Sequence, residues 1–415
     1  MTDDRRDQAA SLDADDPLAS FRERFVVGGP DTIYLDGNSL GRLPLATRER
    51  LHELVEVWGS ELVGGWHEWI DLPTKVGDLI AEGVVGAGAG EVIACDSTTV
   101  NLFKLASAVL SRREGAIVTD RGNFPTDRYV LEGLARAHGR ELIHFEAHPL
   151  EGPQAEEVAG ACAQAREVAL VSLSHVAYRS GALADVEAIT RRVAAPVIWD
   201  LSHSAGAVPI ELTDWGVELA VGCTYKYLNA GPGAPAYLYV AAERQAELRT
   251  PIQGWFGQRE QFEMERPYDP EPGVRGWLAG TPPILALAAV EQGASIIGDA
   301  GIETIADKAR RLTTFLVELY DDWLAPLGFE LGTPRDPERR GAHVSLRHAE
   351  AWPITRALIE RAKVIPDFRG PDAIRFGLPP LYTSFGEVHE AMTRLRSLVE
   401  RGVQREMDAA PARIT

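Results

Sequence analysis

Cysteine is scarce in this chain of 415 residues: Cys95, Cys162 and Cys223 lie far apart, with no CxxC pair and no neighbouring histidine cluster. That spacing gives neither a disulfide framework nor a zinc-ligand pattern, so no metal is expected. Basic charge is short as well, 42 Lys and Arg against 61 Asp and Glu, for a net charge of −19. A phosphate-backbone binder needs a basic face, so no nucleic-acid partner is expected, although a small anion can still be held locally. Long apolar runs are also missing. No stretch approaches the roughly 18 uninterrupted apolar residues of a membrane span. Met1 to Asp16 is polar and acid-rich, without the apolar centre of a signal peptide. A soluble, reducing, cytoplasmic setting with no membrane contact is the expectation.

What is present suffices for a sizeable core. The chain is 45% hydrophobic, with aromatics spread along it and no low-complexity tract, which argues against disorder. Residues 1–20 read as a loosely ordered acidic lead. Helical apolar spacing begins at Leu45 and runs to Trp58, after a turn built on Gly41 and Pro44. Short apolar runs then alternate with helical stretches. The strands expected are Val92–Cys95, Ala116–Thr119, Leu142–Phe145, Val168–Leu173, Val197–Asp200 and Leu219–Gly222, with helices such as Thr126–His138 and Asp185–Ala194 between them. This alternation predicts an α/β domain with a mostly parallel sheet. Beyond about Pro283 the pattern changes. Ile302, Ile305, Ala309, Leu312, Leu316, Leu319 and Trp323 fall three or four apart on one helical face. Helical patterns at Trp352–Ala362 and Phe385–Arg401, with a β-like His343–Leu346, predict a smaller α+β domain. The division expected is a segment 1–44 packing with the small domain, a large domain 45–285 and a small domain 286–415.

Gly86-Ala-Gly88-Ala-Gly90 resembles a dinucleotide loop only superficially. It follows a helix and precedes a strand, whereas such a loop must leave a strand and open a helix. It reads as a helix-ending loop.

The stretch Val197 to Tyr239 carries the chemistry. A strand ends at Asp200, followed by Leu201-Ser202-His203; then come Thr224-Tyr225-Lys226-Tyr227 and the glycine-rich Asn229-Ala-Gly231-Pro-Gly233. A carboxylate at the carboxyl end of such a strand faces the crevice where α/β sheets bind ligands. There it can pair with a pyridinium nitrogen, and a lysine among apolar neighbours can form an imine. An acid, a lysine and a glycine-rich turn in that order suit a pyridoxal-phosphate enzyme. Taken singly, Asp200 could cap a helix and Lys226 could snorkel at a sheet edge; the combination is what separates them from that reading.

Asp200-Leu-Ser-His203, Thr224-Tyr-Lys226-Tyr-Leu-Asn229 and Gly254-Trp-Phe-Gly257 together resemble the kynureninase family of fold-type-I pyridoxal-phosphate enzymes, related to class V aminotransferases. The likeness runs through Tyr34-Leu-Asp-Gly-Asn38-Ser39-Leu-Gly41, Ser97-Thr-Thr99-Val-Asn101-Leu, Phe124-Pro-Thr-Asp127, Gly273-Val, Gly280-Thr281-Pro-Pro283 and Ile374-Arg375 to Pro380-Leu-Tyr382. It implies a pyridoxal 5'-phosphate cofactor linked to Lys226, which also moves the α-proton with help from Tyr225. Asp200 would pair with the ring nitrogen, Asp127 would lie near that edge, and Phe124 would stack on the ring. His203 would stand near the phenolic oxygen, while Thr98, Thr99, Ser174 and Tyr225 would hold phosphate and ring. Trp255 and Thr281 would come from the neighbouring subunit of a homodimer. Arg375 would clamp the substrate's α-carboxylate, ahead of its neighbour Arg369, and Ser39 would also contact the substrate.

The reaction implied is hydrolytic cleavage of L-kynurenine to anthranilate and L-alanine, a step of tryptophan degradation and NAD-linked metabolism. Trp66 and Thr281 occupy places where animal members carry His and Asn, so kynurenine is favoured over 3-hydroxykynurenine, a secondary substrate; Trp66 could equally be packing. A cysteine desulfurase would need a nucleophilic cysteine late in the chain, and none follows Cys223. Transamination shares the early steps and is harder to separate. A regulatory protein of this fold would need a basic DNA-binding segment, which the acidic lead lacks.

Overall fold

The computed structural model describes residues 2–29 and 31–407. After β1 (Ile33–Tyr34), seven strands build one sheet: β2 (Val92–Ala94), β3 (Ala116–Asp120), β4 (Leu142–Phe145), β5 (Val168–Ser174), β6 (Val197–Asp200), β7 (Leu219–Gly222) and β8 (Tyr237–Val240). Their order is β2-β8-β7-β6-β5-β3-β4. All run parallel except β8, which is antiparallel to both its neighbours. The connections explain the exception. Helices Thr98–Leu110, Pro125–His138, Ala155–Cys162 and Val186–Arg192 carry the chain back across the sheet between successive strands, which parallel pairing requires. The β6–β7 connection, residues 201–218, also crosses back but without a helix, whereas residues 223–236 turn directly into β8, which pairs the other way.

Alternate side chains of each strand enter opposite apolar layers. Val197 and Trp199 of β6 join one cluster and Ile198 the other; Tyr237 and Tyr239 of β8 join the first, Leu238 and Val240 the second. With both faces covered, the strands are nearly continuous apolar runs instead of an amphipathic alternation. This is why the sequence announced most of them within a residue of their observed ends. β8, lying directly behind the glycine-rich turn, was not among the expected strands.

The remaining strands are β9 (Glu330–Leu331), β10 (His343–Arg347), β11 (Val364–Ile365), β12 (Asp367–Arg369) and β13 (Ala373–Gly377). β11 pairs in parallel with β1, and the other four form an antiparallel sheet in the order β12-β13-β10-β9. Helices Ile302–Leu319, Ala351–Ala362 and Phe385–Glu400 share its core through Leu312, Leu316, Leu358, Val388 and Leu395. The periodicity expected from Ile302 to Trp323 holds as a regular helix to Leu319, and Tyr320–Leu324 follow as a π turn. Among the described residues no single helix is long and apolar enough to cross a membrane.

The acidic lead is a correction. Thr2–Ala14 is a helix, and its acids are fixed partners, not a solvated tail. Asp13 accepts from the backbone N–H groups of Phe385 (2.7 Å) and Gly386 (2.9 Å), capping the helix that starts there. Asp16 pairs with Lys308 at 2.6 Å, the two side chains 4% and 3% exposed. Composition alone could not reveal this, because the partners lie some three hundred residues away. Removing one member of a buried ion pair leaves the other uncompensated. Asp16→Ala is therefore expected to lower the unfolding free energy in urea by about 3 kcal/mol. A loss below about 0.5 kcal/mol, typical of a surface change, would contradict this assignment.

Candidate active site

The carboxyl ends of the parallel strands open onto a pocket lined by Thr98, Thr99, Phe124, Asp127, Ser174, Tyr178, Asp200, His203, Tyr225 and Lys226. Nine of the residues expected around a cofactor thus stand together, from five separate chain segments. Ser174 and Asp200 are the last residues of β5 and β6, the position from which α/β sheets present ligand-binding groups. Thr98 and Thr99 open the helix Thr98–Leu110, which Ser97 caps through its hydroxyl. The first N–H groups of a helix lack intrahelical partners and favour an anion. Phe124 caps the helix Pro125–His138 and leaves its ring 37% exposed. It packs edge-on against Tyr178 at 5.2 Å.

Lys226 lies in the β7–β8 loop, which is held at several points. Thr224 donates to the Pro235 carbonyl at 2.7 Å, and Asn229, at φ +55°, donates to the Tyr227 carbonyl at 2.7 Å. The N-terminal segment closes over the loop: the Gly41 N–H donates to the Tyr225 carbonyl at 2.8 Å. A Cβ on Gly41 would stand 2.3 Å from the Lys226 carbonyl oxygen, so only glycine fits. The Lys226 amine sits 2.9 Å from Nε2 of His203 and 5.9 Å from the centre of the Phe124 ring. Burial draws its pKa below the ordinary lysine value. Burial, aided by the charges of Lys226 and Arg375, likewise holds His203 well below the ordinary histidine range. The imidazole is therefore neutral, and with its proton on Nδ1 its Nε2 accepts from the lysine amine. The Tyr225 phenol is pushed up by Cys223, by burial and by Asp200, so it stays protonated.

Two carboxylates sit on the far side of the pocket. Asp200 is 7% exposed and one oxygen accepts from the Ser202 N–H at 2.8 Å. Asp127 is 1% exposed, and neither of its oxygens has a hydrogen-bond partner. Burial and the neighbouring Asp200 push its pKa well above the ordinary carboxylate value. Ser174 donates to Oδ1 of Asn123 at 2.6 Å, and the same oxygen accepts from the Phe124 N–H at 2.9 Å. Sequence reasoning missed Asn123; its place one residue before Phe124 was the available signal.

The small domain contributes a charged cluster behind the pocket. Arg375, 1% exposed, donates to Asp367, to the Tyr178 carbonyl (2.5 Å) and to Ser39 (3.1 Å). Arg369 shares Asp367 at 2.8 Å but keeps 34% of its side chain exposed. Ser39 also donates to Asp367 at 2.8 Å. Asp36 nearby is pushed up to about 7 by burial and by the charge of Asp367. Arg375 and Ser39, both expected at the substrate, are thus in contact with each other, although neither lines the pocket itself. His343, also missed, stacks near His203 at 5.5 Å, and neither ring nitrogen has a partner. A lone histidine within an apolar strand was its only mark in the sequence.

Trp66, Trp255 and Thr281 do not line this pocket. Trp255 is 42% exposed and Thr281 is exposed. Phe256 links the two tryptophans, its ring 4.7 Å from Trp255 and 5.8 Å from Trp66. Trp66 borders an open apolar groove with Trp58, Leu62, Val63 and Pro283.

The fold is that of the fold-type-I pyridoxal-phosphate enzymes. A C-DES variant, solved with glycine linked to its cofactor, superposes with a TM-score of 0.80 at 18% identity, over 90% of this chain and 98% of that one. The apo cysteine desulfurase of Thermococcus onnurineus gives a TM-score of 0.76 at 17% identity, over 94% and 98%. Sequence comparison narrows the class. The kynureninase of Pseudomonas fluorescens is 40% identical over 410 residues, 95% of this chain and 96% of that protein. That of Burkholderia pseudomallei is 38% identical over 408 residues, 95% of each. The profile described as the kynureninase C-terminal domain matches residues 305–395. This chain belongs to the kynureninase family.

The carboxylate pair makes a prediction for the protein without cofactor. An acid whose folded pKa is raised binds its proton more tightly folded than unfolded, so stability falls as pH climbs above the unfolded value of about 4. Asp127→Asn removes that loss. The melting temperature of the variant minus that of wild type should therefore widen between pH 5 and pH 8; a difference independent of pH would contradict the raised pKa.

Proposed function

We propose that this protein hydrolyses L-kynurenine to anthranilate and L-alanine, using pyridoxal 5'-phosphate attached to Lys226. The observation that carries the reading is the pocket itself, where a buried amine with a lowered pKa faces a neutral imidazole and, opposite, two buried carboxylates lack a counter-charge. A planar ring bearing a carbonyl on one side, a protonated nitrogen on the other and a phosphate matches those groups. Asp127 has two unpartnered oxygens, Phe124 offers a free aromatic face, and the Thr98–Thr99 helix start with Ser174 suits the phosphate.

Bound there, pyridoxal phosphate supplies an electron sink at the substrate's α-carbon. The residues divide the remaining work. Asp200, with Asp127 beside it, favours a proton on the ring nitrogen and so strengthens that sink. The Lys226 amine, neutral because it is buried, would be the cofactor's point of attachment and, once freed by substrate, would take the α-proton at Nζ. His203 steers that amine through its 2.9 Å contact. Tyr225 keeps its phenolic proton and can donate it as the carbon–carbon bond breaks. Arg375, with Ser39 beside it, receives the α-carboxylate. Residues 45–285 would hold the cofactor, while residues 286–415 together with 1–44 would close on the substrate.

Trp66, Trp255 and Thr281 cluster on one exposed face through Phe256 and the groove beside Pro283. We assign that face to a homodimer contact in which Trp255 and Thr281 complete the neighbour's pocket. Trp66 and Thr281 offer no pair of polar side chains like the His and Asn of animal members, so kynurenine is the preferred substrate over 3-hydroxykynurenine. A cytoplasmic role in tryptophan degradation accords with this chemistry.

Purified protein reconstituted with pyridoxal phosphate should convert L-kynurenine to equal amounts of fluorescent anthranilate and alanine, sediment as a dimer, and lose activity at least about 1000-fold in Lys226→Ala. Transfer of the amino group without anthranilate would overturn the reaction. A fully active monomer would overturn the shared site.

A further inference from the structure

Lys104 is the most deeply buried cation in the large domain, and nothing in the mechanism above uses it. It projects from the helix Thr98–Leu110 with a fully buried side chain. Its amine donates to the Asp96 carboxylate and, at 2.7 Å, to the Trp277 carbonyl. Burying an ammonium is costly unless it is paired and hydrogen-bonded, so both acceptors are held firmly.

Asp96 occupies the turn that joins β2 to this helix, immediately before Ser97, Thr98 and Thr99. Its φ is +49°, in the left-handed region that a residue with a Cβ rarely adopts. Its carbonyl accepts from the Ala236 N–H at 3.0 Å, and the Cys95 N–H donates to the Ala236 carbonyl at 2.8 Å. The turn is therefore pinned from below by Lys104 and from the side by the strand-end residue Ala236. Asp96 is also a carboxylate next to the place assigned to a phosphate, and it remains 28% exposed. No lysine or arginine other than the buried Lys226 lines that pocket, so an unneutralised Asp96 would repel the phosphate with little to offset it.

We propose that Lys104 is a positioning residue for the cofactor's phosphate: it fixes the Asp96 turn so that the helix start presents its N–H groups and hydroxyls, and it neutralises the Asp96 carboxylate beside them. The second contact extends this role. Trp277 ends the turn Gly273–Trp277, and the Ala279 carbonyl just beyond it accepts from the Phe256 N–H at 3.2 Å. Lys104 thereby ties the phosphate turn to the segment carrying Trp255 and Thr281. The inference rests on the proposed cofactor site and adds a residue to it.

The test compares binding of pyridoxal phosphate with binding of pyridoxal, which lacks the phosphate, to the apo protein by quenching of intrinsic tryptophan fluorescence. In Lys104→Met the affinity for pyridoxal phosphate should drop about tenfold, as expected for weakened charge-assisted contacts, while pyridoxal binds as it does to wild type. Asp96→Gly is the second variant. Glycine accepts the positive φ and so preserves folding, but it removes the side chain that Lys104 grips together with the charge that would repel the phosphate, so it should show a phosphate-specific loss smaller than that of Lys104→Met. Equal losses for both ligands would mark Lys104 as generally structural and overturn the proposal, as would unchanged binding in both variants. A wild-type protein with no preference for the phosphorylated ligand would instead sink the phosphate assignment itself, and this inference with it.

Discussion

Two carboxylates placed side by side in a dry pocket constrain everything around them. Asp127 and Asp200 cannot both be charged at low cost without a positive partner, and no donor group of the protein reaches either oxygen of Asp127. The only lysine facing them is itself held below its ordinary pKa by burial. The site is thus acidic at one end, neutral at the amine and open to an anion at the helix start. That gradient selects a ligand with a protonated ring nitrogen, a carbonyl within reach of Lys226 and a phosphate, and the fold exists to keep those three points apart at fixed spacing.

The sheet provides that spacing. Asp200 and Ser174 end neighbouring parallel strands, registered directly opposite each other. Lys226 lies on the short β7–β8 connection, which turns straight back to an antiparallel strand and so keeps the lysine over the strand ends. Arg375 of β13 stands behind the pocket: Tyr178 lines it and accepts from Arg375 at its carbonyl, and the Arg375 charge in turn helps keep His203 neutral. Asp13 of the N-terminal helix and Asp16 just beyond it hold the helices that begin at Phe385 and Ile302, so this segment supports the site without touching it.

Most of this was legible in the sequence, for identifiable reasons. Strands buried on both faces announce themselves as apolar runs, and the Asp200, His203 and Lys226 spacing follows from strand ends and loops local in sequence. Contacts between distant residues were not legible. The acidic lead looked unstructured because Lys308 and the Phe385 helix start are remote. Asn123 and His343 have no local signature that distinguishes them from packing residues. β8 was hidden by the glycine-rich turn before it. The contacts of Arg375 with Asp367, Ser39 and Tyr178 depend on three separate segments meeting, which no periodicity reports.

The central claim is that Lys226 is the attachment point of the cofactor. Reduction of the pyridoxal-phosphate-loaded protein with borohydride, followed by peptide mass mapping, tests it most directly. The account predicts one pyridoxyl group per chain, on the peptide containing Lys226 and on that residue. Modification of Lys104 or a surface lysine instead, with Lys226 unmodified, would contradict it.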